Sequence, residues 1–325
     1  MPSALPTESR SPVNGHEPVL ADEVVGLLGP RLGETVVDCT FGAGGHARRL
    51  APALGEDGRY VAIDQDPEAS GWFASLAEDV VCETRFIRAD FADALPRLAA
   101  QGLRADAILM DLGISSMQVD RPERGFSYAR QAPLDMRMDP DRPGSAADLI
   151  ATASERELAD IMRTYGEERY ARPIARAIVR RRAEAPIDTT GDLVEIVRSA
   201  VPTPAQFAAG HPAKRVFQAL RIAVNDELDS LQAGLAAAFE ILNPGGRLAV
   251  IAFHSLEDRM VKRFMVERQA GCICPPDMPV CGCGRTPEAT TLTPKVIRPR
   301  QAELDRNPRA RPARLRGLVR VGVEA

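Results

Sequence analysis

The sequence predicts an α/β fold, a parallel sheet flanked by helices and interrupted by a helical subdomain, and three observations carry that prediction. Four short apolar or β-branched runs end in acids, at Asp38, Asp64, Asp90 and Asp111, with helix-periodic segments between them. About 100 residues, too many for a loop and themselves helix-periodic, separate the fourth run from the helix that leads into a fifth. With 325 residues, 45% of them hydrophobic and 26% charged, the chain can bury one large core and still supply an insert.

Composition then excludes several classes. No apolar run approaches the roughly 18 residues of a membrane span, and residues 1–15 lack the basic-then-apolar order of a signal peptide. A cytoplasmic protein with no membrane partner is expected. Residues 1–15, with Pro2, Pro6 and Pro12 among polar neighbours, are expected to form a disordered tail. Cys39 and Cys82 fall in apolar surroundings and the other four cysteines form one tight cluster, so a disulfide framework is not indicated. The net charge of −4 argues against a polyanionic partner, but Lys295 to Arg320 holds nine basic residues against only Glu303 and Asp305. A basic face on an acidic chain suits a polyanion.

Taken in order, His16-Glu17-Pro18-Val19-Leu20 leads into a helix patterned by Val24, Val25, Leu27 and Leu28, which Gly29-Pro30 ends. His16 reads as a capping or surface histidine. The first strand, Thr35-Val36-Val37-Asp38, runs through Cys39-Thr40-Phe41 into Gly42-Ala43-Gly44-Gly45-His46. Glycine lets backbone lie against a ligand, and the helix that follows, patterned by Ala47, Leu50 and Leu54, points free N–H groups at it. The second strand runs from Arg59 to Asp64. Asp66-Pro67 reads as the N-cap and first residue of the next helix, which leaves Asp64 free at the strand tip. Twenty residues separate Gly44 from Asp64, the spacing at which an acid meets ribose hydroxyls in a Rossmann-like unit. The third strand is Phe86–Phe91, the fourth Ala105–Gly113 and the fifth Arg247–Phe253, the last introduced by Asn243-Pro244-Gly245-Gly246.

The glycine loop is G-x-G-G rather than the dinucleotide pattern G-x-G-x-x-G, and Asp90-Phe91 offers a carboxylate beside an aromatic face for an adenine. Together these features resemble class I S-adenosylmethionine-dependent methyltransferases more than dehydrogenases. The resemblance then narrows. His16–Leu20, Asp38–His46, Asp111-Leu112-Gly113-Ile114-Ser115-Ser116, Arg124-Gly125-Phe126-Ser127, Pro133–Asp139, Tyr165-Gly166-Glu167-Glu168 and Phe253-His254-Ser255-Leu256-Glu257-Asp258-Arg259 resemble, in order, the motifs of the RsmH (MraW) family. These are bacterial 16S ribosomal RNA cytosine-N4 methyltransferases. The likeness runs from about His16 to Arg320. It implies N4-methylation of a specific cytidine in the decoding region of the small ribosomal subunit. Position by position it implies a cofactor site at Gly44, Gly45, His46, Asp64, Phe91, Asp111 and Gln118.

Residues 16–118 and 216–325 are read as a discontinuous methyltransferase core and 119–215 as a helical substrate-recognition insert. In the insert, Ser154-Glu155-Arg156-Glu157 is a capping box that opens a helix. Arg169, Arg172, Arg176 and Arg180 then recur on one face, a stripe that suits RNA phosphates beside such a core, with Arg259 near the crevice. Leu220 to Leu242 reads as one long amphipathic helix returning to the core. Methyl transfer to an exocyclic amine needs in-line approach and an acceptor for N–H, not a covalent nucleophile. The Pro-Cys dipeptide typical of ring-attacking enzymes is absent. Asp111, Ser115 and Ser116 are expected to position the amine and base edge, and His254 and Ser255 to face the same crevice, with His254 as proton acceptor or base orienter. The base must be unstacked to enter. Cys272, Cys274, Cys281 and Cys283 suggest a structural tetrathiolate zinc, with a reduced surface loop or a redox pair as alternatives. A homodimer is left open.

Overall fold

The computed structural model describes residues 17–206, 211–272, 274–275, 278, 280 and 282–322, with the side chains of Ser116 and Ala205 outside that description. The tail over 1–15, His16 and Cys281 therefore lie outside the described residues.

Helix α1 (Ala21–Leu28) precedes β1 (Thr35–Asp38), which the glycine turn links to α2 (Ala47–Leu50); β2 (Arg59–Asp64), α3 (Ala69–Asp79), β3 (Glu83–Arg88), α4 (Phe91–Ala100) and β4 (Ala105–Asp111) then alternate. Beyond α5 (Ser116–Asp120) come the helices of the insert, α6 (Ala146–Thr152), α7 (Glu155–Gly166), α8 (Ala171–Glu184), α9 (Thr190–Ala200), α10 (Thr203–Gln206) and α11 (Lys214–Asn225). The core resumes with α12 (Glu227–Ile241), β5 (Leu242–Ala252), α13 (Ser255–Gln269), β6 (Ala289–Thr291), α14 (Gln301–Arg306) and β7 (Arg314–Arg320).

The strands form one sheet in the order β3-β2-β1-β4-β5-β7-β6, with β7 alone running against its neighbours. This is the expected Rossmann-like α/β architecture. From β1 the sheet grows outward in one direction through β2 and β3 and in the other through β4 and β5. The carboxyl ends of β1 and β4 therefore flank the switch point where such sheets bind ligands. Strand alternation builds a core on each face. Val37, Ile63, Ile108 and Met110 pack under α4 and α12, while Val36, Tyr60, Ala62 and Leu109 pack under α1 and α2. A separate apolar cluster fills the insert, from Phe126 and Leu134 through Met162 and Ile178 to Leu220 and Val224.

Several expectations change. The segment Leu220–Leu242 is two helices, because Asp226 adopts a left-handed conformation (φ 50°) between α11 and α12. Residues 216–225 belong with the insert rather than the core, since Val216, Phe217, Leu220 and Val224 pack in the insert's cluster. Periodicity alone could not find that break: the apolar stripe continues through it. Asp66 accepts the Glu68 amide at 3.1 Å in the turn that leads into α3, as its expected capping role requires, and is buried beneath the α5 loop. Phe91 opens α4 instead of ending β3, with Asp90 accepting the Ala92 amide as cap. The Ser154 capping box forms as expected. No described helix is long and apolar enough to cross a membrane.

Candidate functional site

The glycine turn stands at the carboxyl end of β1, and its conformation is one only glycine accepts. Gly44 has φ 74°, and a Cβ there would lie 2.8 Å from Cζ of buried Phe41. The turn delivers His46 to the start of α2, 6% exposed, with its Nε2 3.4 Å from Asp111 Oδ2 at the tip of β4. Neither ring nitrogen of His46 has a hydrogen-bond partner, and neither has Asp111 Oδ1, although all three atoms are buried. Unpartnered buried polar atoms cost free energy unless a ligand satisfies them. Thr40 Oγ1 accepts the Asp111 amide at 2.6 Å, so the turn and the β4 tip are held as one unit.

The other strand tips close the crevice. Asp64 accepts the Gly42 amide through Oδ2 (2.7 Å) and the Asp66 amide through Oδ1 (2.9 Å), locking the glycine loop to β2; burial pushes its carboxyl up to about 6. Its oxygens are thus engaged, not free as expected, but each retains a lone pair. Phe91 is half-buried and lies so close to α12 that a Cβ on Gly234 would meet its ring at 2.4 Å. Gln118 is used at both ends: its carbonyl accepts the Ser115 amide at 3.1 Å and its amide donates to Asp66 at 2.9 Å. Asp66 also pairs with Arg124 at 2.9 Å. Gln118 therefore sets the shape of the loop after β4. Ser115 caps α5, and its Cβ stands 3.8 Å from the position of a Cβ on Gly42, which brings the β4 loop against the glycine turn. Ser116 begins α5; its side chain lies outside the described residues.

At the β5 tip a helix cap sets the geometry. His254 caps α13, and its ring turns toward buried Glu257, with Nε2 3.2 Å from Oε1. Glu257 also accepts the Phe253 and His254 amides. Burial raises the Glu257 carboxyl, but hydrogen bonding to His254 and the neighbouring charges outweigh it and leave the group below its ordinary value. Glu227, held by both arms of Arg221 at 2.7 and 2.8 Å, completes this acid cluster. Ser255 donates to Glu167 at 2.8 Å, and Arg259 pairs with the same carboxylate at 3.1 Å. His254 Nδ1 serves the cap of α13, while its buried Nε2 has no hydrogen-bond partner beyond the ion-pair contact with Glu257, and Ser255 ties α13 to the insert through Glu167. Sequence reading overlooked Glu257, although its place three residues after the cap is the capping-box spacing. It also overlooked Asn225, which bridges Met138 N and Met136 O at 2.8 Å each. No local pattern marks that side chain, whose partners lie over 80 residues away.

Arg169, Arg172, Arg176 and Arg180 are exposed along α8 and its approach, and Arg172 and Arg180 show no ion-pair partner among the described residues. Of the C-terminal basic residues, Lys295, Arg298 and Arg311 are exposed, while several arginines are paired within the fold. Arg306 pairs with Glu17, Arg309 with Asp120, and Arg314 and Arg316 with Asp258. Arg320 caps the end of α12 through the Phe239, Glu240 and Leu242 carbonyls. Cys272, Cys274 and Cys283 come together, while Cys281 is outside the described residues.

The residues present fit an adenosyl sulfonium donor: a glycine cradle, an acid at β2, an aromatic face at α4, and an unsatisfied histidine and carboxylate between β1 and β4. A family model described as the MraW methylase family matches residues 13–321. The Ribosomal RNA small subunit methyltransferase H of Rubrobacter xylanophilus is 50% identical over 314 residues, 95% of this chain and 97% of that one. The protein of the same name from Symbiobacterium thermophilum is 48% identical over 309 residues, 94% and 96% of the two chains. The one from Heliobacterium modesticaldum is 47% identical over 308 residues, 94% and 98%.

Proposed function

Since this chain belongs to the MraW methylase family and is therefore a methyltransferase, we propose that it methylates the exocyclic N4 amine of one cytidine in the decoding region of 16S ribosomal RNA, with S-adenosylmethionine as donor. The observation that carries the reading is the pairing of buried His46 with half-buried Asp111 at the switch point of the sheet, with both His46 ring nitrogens and Asp111 Oδ1 lacking hydrogen-bond partners. When bound, the donor supplies an electrophilic methyl carbon on sulfur. Gly44, Gly45 and His46 line its cradle, Asp64 offers its remaining lone pairs to ribose hydroxyls, and Phe91 gives a face for the adenine. Gln118 acts through Asp66 and Ser115 to hold the loop.

Asp111 Oδ1 accepts an N–H of the amine, aligns the nitrogen lone pair with the methyl carbon and leaves an acceptor beside the proton to be shed. Ser115 and Ser116 border the base edge. Direct transfer is supported by the state of the nearest thiol: Cys39 is buried, and burial pushes it well above its ordinary range, so it makes no nucleophile. The insert, residues 119–225 by its packing, carries the exposed α8 arginines toward phosphates, and a cytidine flipped from its stack reaches the crevice.

The test is incubation of the full chain with radiolabelled donor and small subunits lacking the modification, followed by nucleoside analysis. Label in N4-methylcytidine is expected. Label in another nucleoside, or donor binding with no transfer to RNA, overturns the reading, the latter in favour of an RNA-binding assembly factor.

A further inference from the structure

Three of the cysteines converge where the methyl-transfer chemistry has no use for them. Helix α13 carries His254 at its start and spans 15 residues, about 22 Å, so the segment after it begins a full helix length from the crevice. Between α13 and β6 the described residues form no helix or strand, and none of those over 271–287 is buried. The ends of the segment are tied down: Arg285 donates to the Glu267 carbonyl at 2.8 Å, the Glu288 amide donates to the Arg268 carbonyl at 2.8 Å, and the Arg268 and Glu288 side chains pair. The described residues of the interior bury no apolar side chain, yet the sulfurs of Cys272, Cys274 and Cys283 all lie within 4.8 Å of one another. Small segments without a core are held by disulfides or metals.

The sulfur geometry separates those two. Cys272 and Cys283 Sγ are 3.8 Å apart. A disulfide requires about 2.05 Å. Sulfurs placed about 2.3 Å from a central ion in a tetrahedron lie about 3.8 Å from each other. The Cys274 amide donates to the Cys272 sulfur at 3.4 Å, and the Gly282 and Cys283 amides face the Cys274 sulfur. Amide hydrogen bonds to sulfur favour thiolate, the form that binds metal.

We propose that Cys272, Cys274 and Cys283 bind one soft divalent cation, zinc by ligand class, in a structural site that staples the segment between α13 and β6. Each thiol releases its proton to solvent as the ion binds, so acid competes the metal away. Cys281 repeats in sequence the spacing of Cys272 and Cys274 but lies outside the described residues; three sulfurs suffice for the proposal. The distance from the crevice makes the role one of stability, separate from the methyl-transfer reading.

The experiment is elemental analysis of the full chain purified under reducing conditions after expression with zinc, which should return about one zinc per chain. The double substitution Cys272→Ser with Cys283→Ser should bring that to background while leaving donor binding by calorimetry unchanged. If that variant fails to fold, cobalt added to the metal-free parent decides: thiolate-to-cobalt charge transfer and tetrahedral d–d bands, bleached by zinc, support the site. A parent chain that retains no zinc and gives no such bands, or whose resting form carries a Cys272–Cys283 disulfide, overturns it. Neither result depends on which nucleotide, if any, is methylated.

Discussion

At the scale of single residues, the site is built from polar atoms that folding leaves without partners. Asp111 has one oxygen beside His46 and one buried without a hydrogen-bond partner, and its backbone amide is fixed by Thr40. Asp111→Asn keeps the shape but replaces one acceptor by a donor. Its turnover should fall by about 10²-fold or more, read as label incorporated per subunit, with thermal stability near that of the parent. Asp38 shows the opposite economy. It is 1% exposed, held by the Tyr60 hydroxyl at 2.8 Å and the Thr40 amide, and burial pushes its carboxyl up to about 6 from an ordinary 3.8. Between those values the folded chain holds a proton that the unfolded chain has lost. The associated stability is full below the unfolded value and is lost as pH rises through about 6, a difference of about 3 kcal/mol. Asp38→Asn still accepts from Tyr60 but does not titrate. The melting temperature of this variant relative to the parent should therefore rise from pH 4 to pH 7; a pH-independent difference would refute the assignment.

Elements decide how those residues meet. Alanine at Gly44 must adopt φ 74° and push its Cβ against Phe41, which is wedged among Phe73 and Phe86. Gly44→Ala should cost about 1–3 kcal/mol and weaken donor binding in calorimetry, because the turn has to shift before either strain is relieved. Helix α8 separates its arginines by depth. Arg182 is drawn in to cap α6 through the Ile150 and Ala153 carbonyls, while Arg172 and Arg180 stay outside. Replacing Arg172 and Arg180 by alanine should reduce the slope of log affinity against log salt by about 1 to 2 and leave donor affinity unchanged. A salt slope equal to the parent's would remove α8 from the RNA interface. The capping box at Ser154 was readable because it is a local pattern within four residues; the boxes at Ser145 and Thr189, of the same spacing, went unread. The break at Asp226 was not readable: a left-handed aspartate leaves no mark in an unbroken apolar stripe.

For the whole molecule, the decisive contacts join insert and core. Glu167, left-handed at the end of α7 (φ 49°), receives both Ser255 and Arg259 from the start of α13. Glu167→Ala should raise the KM for small subunits about fivefold, the worth of roughly 1 kcal/mol for a half-exposed pair, with donor affinity unchanged. The parallel sheet, the glycine cradle at its edge and the helical insert were all legible in the chain, because strand alternation, glycine position and capping spacing are local and survive any tertiary arrangement. Which charges remain free was not. Arg306 and Arg309 look like an open basic tail in sequence, yet they meet Glu17 and Asp120, 289 and 189 residues away. The sequence by itself determined the sheet and the glycine turn at its carboxyl edge; only the tertiary structure decided which side chains stand around that turn, because hydrogen bonds and ion pairs form between groups that folding brings near, whatever their separation along the chain.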